Sequence, residues 1–434
     1  MPIRSAHVGA DVVAEAGGAP GSGSQVAPPP PSGSAVAAAP GPGSAAARPP
    51  RSGIGLWGFG VVAVASFGGP LALAALAAPA AVSDASASAG LATVAAAVVF
   101  VAPLLIWLRY SREVASSGGL FAFVEAAAGR RVALVQAALW IVSYVLYVIY
   151  TTVQIVYDLL PAVVPGVRRY ETLLALAIPV ALVGVMIAGR GVTLAVLALM
   201  AVGQVALAGV LDGVTLANLA TPVSSFVPSA PVAPLAKATA QTSLLYVCGS
   251  LPLFLGGELR TPVRTIRRGL IGAYAVTVLV VVAAVAPLAA APGLTGTDVP
   301  GVSVVAQFAG HGLAEAVGVG VAVSIAGVML CEYLALTRLL HAVSSWRISA
   351  ITVALGAAFV AAAPLVLIDP QGVYTTLARP SLVALWLSQL VVFAVYPRFA
   401  RGTGRRLLPA WTLSLIAGGL AIYGLWTALT LAGS

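Results

Sequence analysis

Residues 237–270 read KATAQTSLLYVCGSLPLFLGGELRTPVRTIRRGL and combine an apolar run, a cluster of glycine and proline, and a basic end. The run from 237 to 259 is long enough to cross the ~30 Å hydrocarbon core of a bilayer as a helix. The pentad CGSLP at 248–252 lies near its middle. Because proline lacks an N–H and glycine is a poor helix former, the pentad predicts a helix break at mid-membrane. Backbone groups released there must bind protein or line a polar cavity, as in a binding site built from a broken helix.

A second apolar run, residues 54–82, has the same organisation. Its midpoint carries SFGGP at 66–70, again small residues closed by a proline. Two interrupted spans, one early in each half of the chain, are typical of an internally repeated transporter with its site between the repeats. Glycine and proline are also common in membrane helices, so two simple kinks are the alternative interpretation.

The composition indicates a polytopic membrane protein. Of 434 residues, 60% are hydrophobic and 8% are charged, and the mean hydropathy is +1.03. A soluble globular domain carries roughly 25% charged residues, so that class is excluded. The net charge of +9 does not indicate nucleic-acid binding, since the arginines fall at the ends of apolar runs, where they set orientation. Residues 1–50 are rich in Ala, Gly, Pro and Ser and predict a disordered cytosolic tail.

Eleven apolar runs are long enough to span a membrane. They lie at about 54–82, 91–112, 131–157, 171–189, 191–213, 237–259, 268–291, 313–340, 348–368, 373–396 and 407–431. Spans one to five and six to ten form two five-helix units of opposite orientation, each beginning with a broken helix. We therefore predict an all-α polytopic protein with a 5+5 inverted-repeat core over residues 54–400 and an accessory eleventh helix within 401–434.

The positive charges test this count independently. If the amino terminus is cytosolic, four of the 22 Lys and Arg residues face outward and all the others face inward. The outward set is Arg168, Arg169, Lys237 and Arg379. Because cytosolic loops carry an excess of Lys and Arg, the bias predicts a cytosolic amino terminus and an outward carboxyl terminus.

The end of the sixth span resembles permeases of the amino acid, polyamine and organocation (APC) superfamily. Those proteins typically follow this span with an acid, three residues, a proline and a basic Thr-Ile segment, and Glu258, Pro262 and the VRTIRR that follows have that order and spacing. SSGGLFAF at 116–123 with Gly129 resembles the family's paired-glycine and aromatic loop between spans two and three. TRLLHA at 337–342 resembles its arginine motif at the end of the eighth span. The first break differs, since the family usually has Gly-Ser-Gly-Ile-Phe there.

The resemblance implies a LeuT-type bundle with discontinuous helices 1 and 6. It also implies that a substrate carboxylate binds the first break and an ammonium group binds carbonyls of the second. Broken helix ends offer N–H donors and carbonyl acceptors, and the dipole of a half-helix favours an anion at its N-terminus. With the third span included, the predicted substrate-binding residues are Ser66, Phe67, Gly68, Gly69, Tyr144, Tyr147, Thr151, Cys248, Gly249, Ser250 and Leu251.

The third span carries a polar stripe. Tyr144, Tyr147, Thr151, Gln154 and Asp158 follow at steps of three or four residues, which places them on one helix face. A polar stripe in an apolar helix is expected to face the bundle interior. It forms either a wall of the substrate path or interhelical hydrogen bonds, with the tyrosines near the ends seated in the interface.

Two acids are candidates for coupling or gating. Glu332 is the acid deepest in a span, and it is either a proton acceptor or an interfacial residue that reaches the rim or pairs with a nearby arginine. Glu258 is expected at the cytosolic mouth among Arg260, Arg264, Arg267 and Arg268, as a gate or as an anchor for the loop.

These features predict a secondary active transporter of a small amino acid or related amine in the plasma membrane. It would work by alternating access, either coupled to protons or as an exchanger. The alternatives are a carrier of an organic cation or polyamine, a non-transporting sensor, and a channel-like relative. An enzyme is not expected, because HExxH is absent from the sequence.

The expected partners are a small-molecule substrate, the lipid bilayer and, for a coupled carrier, protons. Nucleic acid, a cofactor and a metal site are not predicted. Sodium coupling has little support, since Ser324 is the one evident hydroxyl of the eighth span and a sodium site would use several oxygen ligands.

Overall fold

The structure is a computed structural model that describes residues 53–344 and 346–430. Eleven helices in this part of the chain are long and apolar enough to cross a membrane, which confirms the predicted number. Spans 1 to 11 are, in order, Leu56–Ala81, Ser83–Glu113, Arg130–Val163, Gly166–Ile187, Arg190–Asn218, Val232–Glu258, Pro262–Ala290, His311–Val343, Ile348–Ile368, Pro370–Gly402 and Leu407–Thr430. The tail predicted at 1–50 lies outside the described residues.

Several spans extend beyond their predicted bounds. Span 2 begins at Ser83, where we expected residue 91, and span 10 runs through Pro370–Gly402, where we expected 373–396. An apolar run marks only the length inside the hydrocarbon, whereas helical hydrogen bonding continues through the polar residues at each interface. In span 2 the added part, Ser83–Ser88, is a 3₁₀ turn rich in serine.

In the described part of the chain two short α-helices lie between the spans. Leu120–Ala128 forms where the sequence predicts a loop, and Pro300–Ala309 precedes span 8. At ~1.5 Å per residue each is too short to cross a bilayer, so a search for long apolar runs passes over both. Gly119, with φ of +51°, and Gly129, with φ of +87°, bound the first of them because both positions need a backbone that other residues rarely adopt.

The broken spans form the centre of the bundle. In their most apolar stretches spans 1, 6 and 8 bury 72, 67 and 67% of the residues, whereas spans 4 and 5 each bury 28%. Apolar residues of the peripheral spans 4 and 5 face the lipid, where they need no protein contact. This separation, with an inverted repeat whose first helices are discontinuous, is the predicted fold.

We call the end of the bundle at which span 1 begins the inner end, following the charge bias, and the opposite end the outer end. At the inner end the two broken spans pair through their backbones. Ile54 N donates to Glu258 O at 2.9 Å and Arg260 N donates to Ile54 O at 3.1 Å. Arg260 Nε also donates to Gly53 O at 2.6 Å. The start of span 1 is therefore held against the end of span 6.

Candidate functional site

Span 1 breaks where the sequence predicts. Its first helical half ends at Ser66, and the second half begins at Pro70. Between them Gly68 and Gly69 have φ of +78° and +70°, a backbone that favours glycine. Pro70 then starts the new helix at the position where proline is tolerated best.

Some of the backbone N–H groups at this break already donate hydrogen bonds to carbonyl oxygens within span 1. Phe67 N donates to Ala63 O at 3.3 Å, and Gly68 N donates to Ser66 O at 2.7 Å. Pro70 has no N–H. Gly69 N has no acceptor among the described residues. A carboxylate at Ser66–Gly69 would thus find one free backbone donor in this conformation.

Span 6 breaks earlier than predicted. Its α-helix ends at Leu244, and after Leu245 and Tyr246 the chain continues as a twelve-residue 3₁₀ helix, Val247–Glu258. The pentad predicted at 248–252 lies inside this 3₁₀ segment, where Pro252 removes the helical hydrogen bond to the carbonyl of Cys248, but the α-helix ends before that residue, at Leu244. The 3₁₀ run is unusually long, and such a run inside a helix often marks a hinge.

The two breaks face each other at the centre of the bundle. A Cβ added to Gly68 would lie 3.1 Å from the carbonyl oxygen of Leu245. A Cβ added to Gly249 would lie 2.2 Å from Cε1 of Phe67. The Phe67 ring is fully buried and packs on Tyr274 at 5.6 Å between centroids. Phe67 therefore fills the space between the predicted carboxylate and ammonium positions.

Span 5 supplies a residue that sequence reasoning missed. Gln204 is buried, and its Oε1 accepts a hydrogen bond from Ser324 Oγ of span 8. A Cβ on Gly69 would lie 2.2 Å from that Ser324 oxygen and 3.1 Å from Gln204 Oε1. The available signal was a glutamine inside an apolar span, which tends to face protein rather than lipid.

The predicted stripe on span 3 divides into two parts. Tyr144 and Thr151 are buried and Tyr147 is half-buried, with Tyr144 lying beside Cys248 of span 6. Beyond them the helix becomes a π-helix over Gln154–Leu159, which changes the spacing of side chains around the axis. Gln154 and Asp158 instead line an outer cavity of about 460 Å³ with Arg168 and Asp298.

Sequence reasoning also missed two aromatic residues of span 3. The Trp140 ring lies 4.0 Å from that of Tyr144 and 4.5 Å from that of Phe254 on span 6, measured between centroids. Tyr150 contacts Tyr147 at 5.2 Å and Tyr374 of span 10 at 5.7 Å. Aromatic residues in an apolar helix give no periodic polar signal, so only the packing reveals this wall.

Glu332 lies inside the bundle and not at its rim. The residue is 0% exposed, and neither carboxylate oxygen has a hydrogen-bond partner among the described residues. It is eleven residues from Val343, so it lies about 16 Å from the inner end of span 8. Within the described residues no arginine pairs with it, so the interpretation as an interfacial, arginine-paired acid does not fit this geometry.

Glu258 closes the inner end, but with other partners than expected. Its carboxylate accepts from Arg338 Nε at 3.0 Å and from an Arg190 guanidinium nitrogen at 3.3 Å. Span 6 is thereby linked to spans 8 and 5. The four arginines predicted around it are not its ion-pair partners, because the chain turns after Leu259 and carries Arg264, Arg267 and Arg268 to exposed positions on span 7.

A cavity of about 520 Å³ lies at this end. Glu258, Arg338 and His341 line it together with residues of spans 4, 5 and 9. The Arg338 side chain is only 6% exposed and that of Glu258 17%, so the pair lines the cavity in a partly desolvated setting.

Comparison with known proteins finds similar folds but no similar sequence. No protein-family model matches the chain, and no curated protein matches it. One similar solved structure is a Na⁺-coupled sialic acid symporter in a substrate-bound, outward-open state, with 13% identity, a TM-score of 0.55, and coverage of 87% of this chain and 90% of that one.

A second similar structure is a nucleobase-cation-symport-1 family transporter in a closed conformation with bromovinylhydantoin bound. It has 12% identity and a TM-score of 0.53, with coverage of 88% of this chain and 92% of that one. At such identities the likeness shows the fold alone. The chain is therefore a multi-pass membrane protein with a LeuT-type 5+5 bundle.

Proposed function

We propose that this protein is a secondary active transporter of a small amino acid or related amine, working by alternating access in the plasma membrane. The single observation that carries the proposal is the pair of breaks facing each other, Gly68 against Leu245 and Phe67 against Gly249. Unpaired backbone groups at the centre of a membrane bundle are typical of a substrate site. Membership of the APC superfamily, a cytosolic amino terminus and an outward carboxyl terminus belong to the same proposal.

The substrate contacts follow from the backbone groups on the two breaks. The ammonium group would bind carbonyl oxygens near Leu245 and in the segment Cys248–Leu251, where the α-helical hydrogen-bond pattern is interrupted. A carboxylate would bind Gly69 N–H and the start of the half-helix at Pro70. Because the Phe67 ring occupies the space between them, binding requires that ring to turn away.

Counterflow in proteoliposomes tests the carrier directly. Vesicles loaded with one unlabelled candidate should accumulate the same labelled compound transiently, which a channel or a sensor does not do. A thermal-shift screen of amino acids, their esters and their decarboxylated amines selects the compound, since a saturating ligand stabilises the fold by roughly 3 kcal/mol. If an amino acid raises the melting temperature of the protein and its ester does not, the carboxylate contact is supported. Absence of counterflow with every stabilising ligand would contradict the carrier.

Glu332 is the proposed proton site. A buried carboxylate without an ion pair can bind a proton in one conformation and release it in another. Glu332→Gln should abolish acceleration of uptake by a pH gradient and leave counterflow intact. Glu315→Gln is the matched control, because Glu315 lies on the same span and is exposed. If the Glu332→Gln variant keeps full pH-driven uptake, Glu332 is not the proton site, and exchange of one substrate for another becomes the proposed transport mode.

Sodium coupling, named for one similar structure, is not part of the proposal. The one hydroxyl that span 8 offers beside the first break, Ser324, already donates to Gln204. A glutamine side chain in this position supplies no negative charge to hold a cation. Replacing external sodium by potassium at constant pH should leave the initial uptake rate unchanged, and a rate that falls with sodium would contradict this.

A further inference from the structure

One face of span 3 carries buried polar atoms without partners. Gln136, Trp140 and Tyr144 follow at intervals of four residues, and Thr151 continues the face two turns later. Each is 1% exposed or less. Among the described residues Gln136 Oε1 and Trp140 Nε1 have no hydrogen-bond partner, and the hydroxyls of Tyr144 and Thr151 make no well-formed hydrogen bond, although they lie close to Cys248 and to the Tyr147 hydroxyl. The row is about 22 Å long at ~1.5 Å per residue.

Span 10 lies against the inner part of this row. Gln136 Nε2 donates to Ser388 Oγ at 2.9 Å, and the next residue, Gln389, is 0% exposed. Neither amide atom of Gln389 has a partner in the described part of the chain. One turn further on, Phe393 stacks on Trp107, whose Nε1 is also buried and unpartnered. Within the described residues, the Gln136 amide oxygen, both amide atoms of Gln389 and two indole N–H groups therefore remain unpaired around spans 2, 3 and 10.

The row leads from the inner end towards Glu332. Gln136 is six residues into span 3, about 9 Å from its start, and Tyr144 lies within electrostatic range of the Glu332 carboxylate. The titratable groups that face Glu332 are Tyr144, Tyr147 and Tyr150 of span 3, Cys248 of span 6 and Cys331 of its own span. No basic side chain is among them.

The chemistry of these atoms selects the ligand. An indole supplies a donor, a hydroxyl supplies a donor and acceptors, and an amide supplies both. Buried groups of this kind are costly when unpaired, above all where lipid keeps bulk water away, and small polar sites of this kind hold ordered water. An apolar ligand would leave every one of these atoms unsatisfied.

We propose that a file of water molecules lies along this face of span 3, anchored by Gln136 and Gln389, and carries protons from the inner end to Glu332. At each step a water molecule donates one proton to the next water and accepts one from the water before it. At the last step an O–H bond forms on the Glu332 carboxylate as one breaks on the adjacent water. The inference rests on the proton-site role given to Glu332 above.

Hydroxyl-radical labelling by X-ray pulses tests for the water without any transport assay. Tyr144 and Tyr333 are both buried, but the Tyr333 hydroxyl donates to Thr352 O, whereas that of Tyr144 makes no well-formed hydrogen bond within the described residues. In the purified full chain Tyr144 and Trp140 should be oxidised roughly fivefold faster than Tyr333, because radicals form from adjacent bound water. Equal rates would overturn the proposal.

Gln389→Leu and Gln136→Leu test the proton route. Gln389→Leu removes two unpaired amide atoms, whereas Gln136→Leu removes one unpaired oxygen and the hydrogen bond to Ser388; both keep the side-chain volume, so folding should be preserved. Uptake driven by a pH gradient should fall about tenfold while counterflow stays unchanged, since exchange moves no net proton. Ser381→Ala is the control, because Ser381 Oγ also links span 10 to span 3, by donating to Ser143 O at 2.8 Å.

The outcomes separate this inference from the proposed function. Unchanged pH-driven uptake in both leucine variants, or an equal loss of uptake and counterflow, would overturn the proton route. A wild-type protein that shows counterflow but no response to pH would also overturn it and leave the carrier in place. If no substrate gives counterflow, the carrier fails, and the labelling of Tyr144 against Tyr333 still decides whether the water is present.

Discussion

The two broken spans interrupt their helices in different ways. In span 1 the helix is interrupted at Phe67, Gly68 and Gly69 and restarts at Pro70, with a π-helical segment over Leu73–Ala77 soon after. In span 6 the α-helix ends at Leu244 and a 3₁₀ helix continues to Glu258. Glycines with positive φ allow a sharp local break, whereas Gly249 and Pro252 tighten the helix gradually without such a backbone. Inverted repeats can therefore share a fold while one break depends on backbone conformation and the other on side-chain packing.

Alanine at the two key glycines should show the largest difference. Gly69→Ala combines a positive φ with a Cβ that would lie 2.2 Å from Ser324 Oγ, and it should cost about 4 kcal/mol of unfolding free energy. The nearest atoms to a Cβ at Gly249 belong to the Phe67 ring, and Gly249→Ala should cost about 2 kcal/mol. Reversible unfolding in mixed micelles measures both.

Phe67→Ala provides the control for this pair. In that background the cost of Gly249→Ala should fall to within about 0.5 kcal/mol of zero, because the clashing ring is gone. The cost of Gly69→Ala should persist, since its backbone strain does not involve Phe67. If both costs disappear, the distinction between a backbone break and a packing break is wrong.

Glu258→Gln tests how the inner half of span 6 is anchored. Removing the charge leaves Arg338, which is 5% exposed, without its ionic partner, and the loss should be about 3 kcal/mol. Lys237→Gln is the comparison at the outer half of the same span. Lys237 pairs with Asp84 at 2.7 Å, but both side chains are more than half exposed, so the loss should stay below about 1 kcal/mol. Equal losses would mean that burial does not set the strength of these pairs.

Pro70→Ala should have the smallest effect. Pro70 begins the second half of span 1, where its fixed φ suits a first helical residue and its missing N–H needs no partner. Alanine keeps the geometry and gains freedom in the unfolded chain, so the expected loss is about 0.5 kcal/mol. A loss above about 2 kcal/mol would show that proline, and not the glycines, defines the first break. The melting temperature of the purified variant measures it.

Local sequence features predicted much of the fold. The eleven spans and the residues causing both breaks follow from apolar length and from glycine and proline, whose effects act within a few residues. The pairings Glu258 with Arg338, Ser324 with Gln204 and Gln136 with Ser388 could not be predicted. Each joins segments far apart in sequence, and their contact depends on how the spans pack.

The position of the second break shows the same limit within one span. CGSLP at 248–252 lies within the 3₁₀ segment, but the structural change starts at Leu245, farther upstream than the single turn that Pro252 disturbs. The shift matters for the site, since the carbonyl that approaches Gly68 belongs to Leu245 and not to the predicted pentad. A local pattern thus gives the existence of a break more reliably than the atoms it presents.

The backbone pairing of Ile54 with Glu258 and Arg260 has a mechanical consequence. Gly68 lies fourteen residues from Ile54, so the inner half of span 1 is a lever about 21 Å long. A rotation of about 15° at the glycines would move its tip by about 5 Å, far more than a hydrogen bond can stretch. Either span 6 moves together with the inner half of span 1, or both hydrogen bonds between the two spans break when that half begins to rotate. If span 6 does not move with it, these two backbone hydrogen bonds resist the movement of this half-helix.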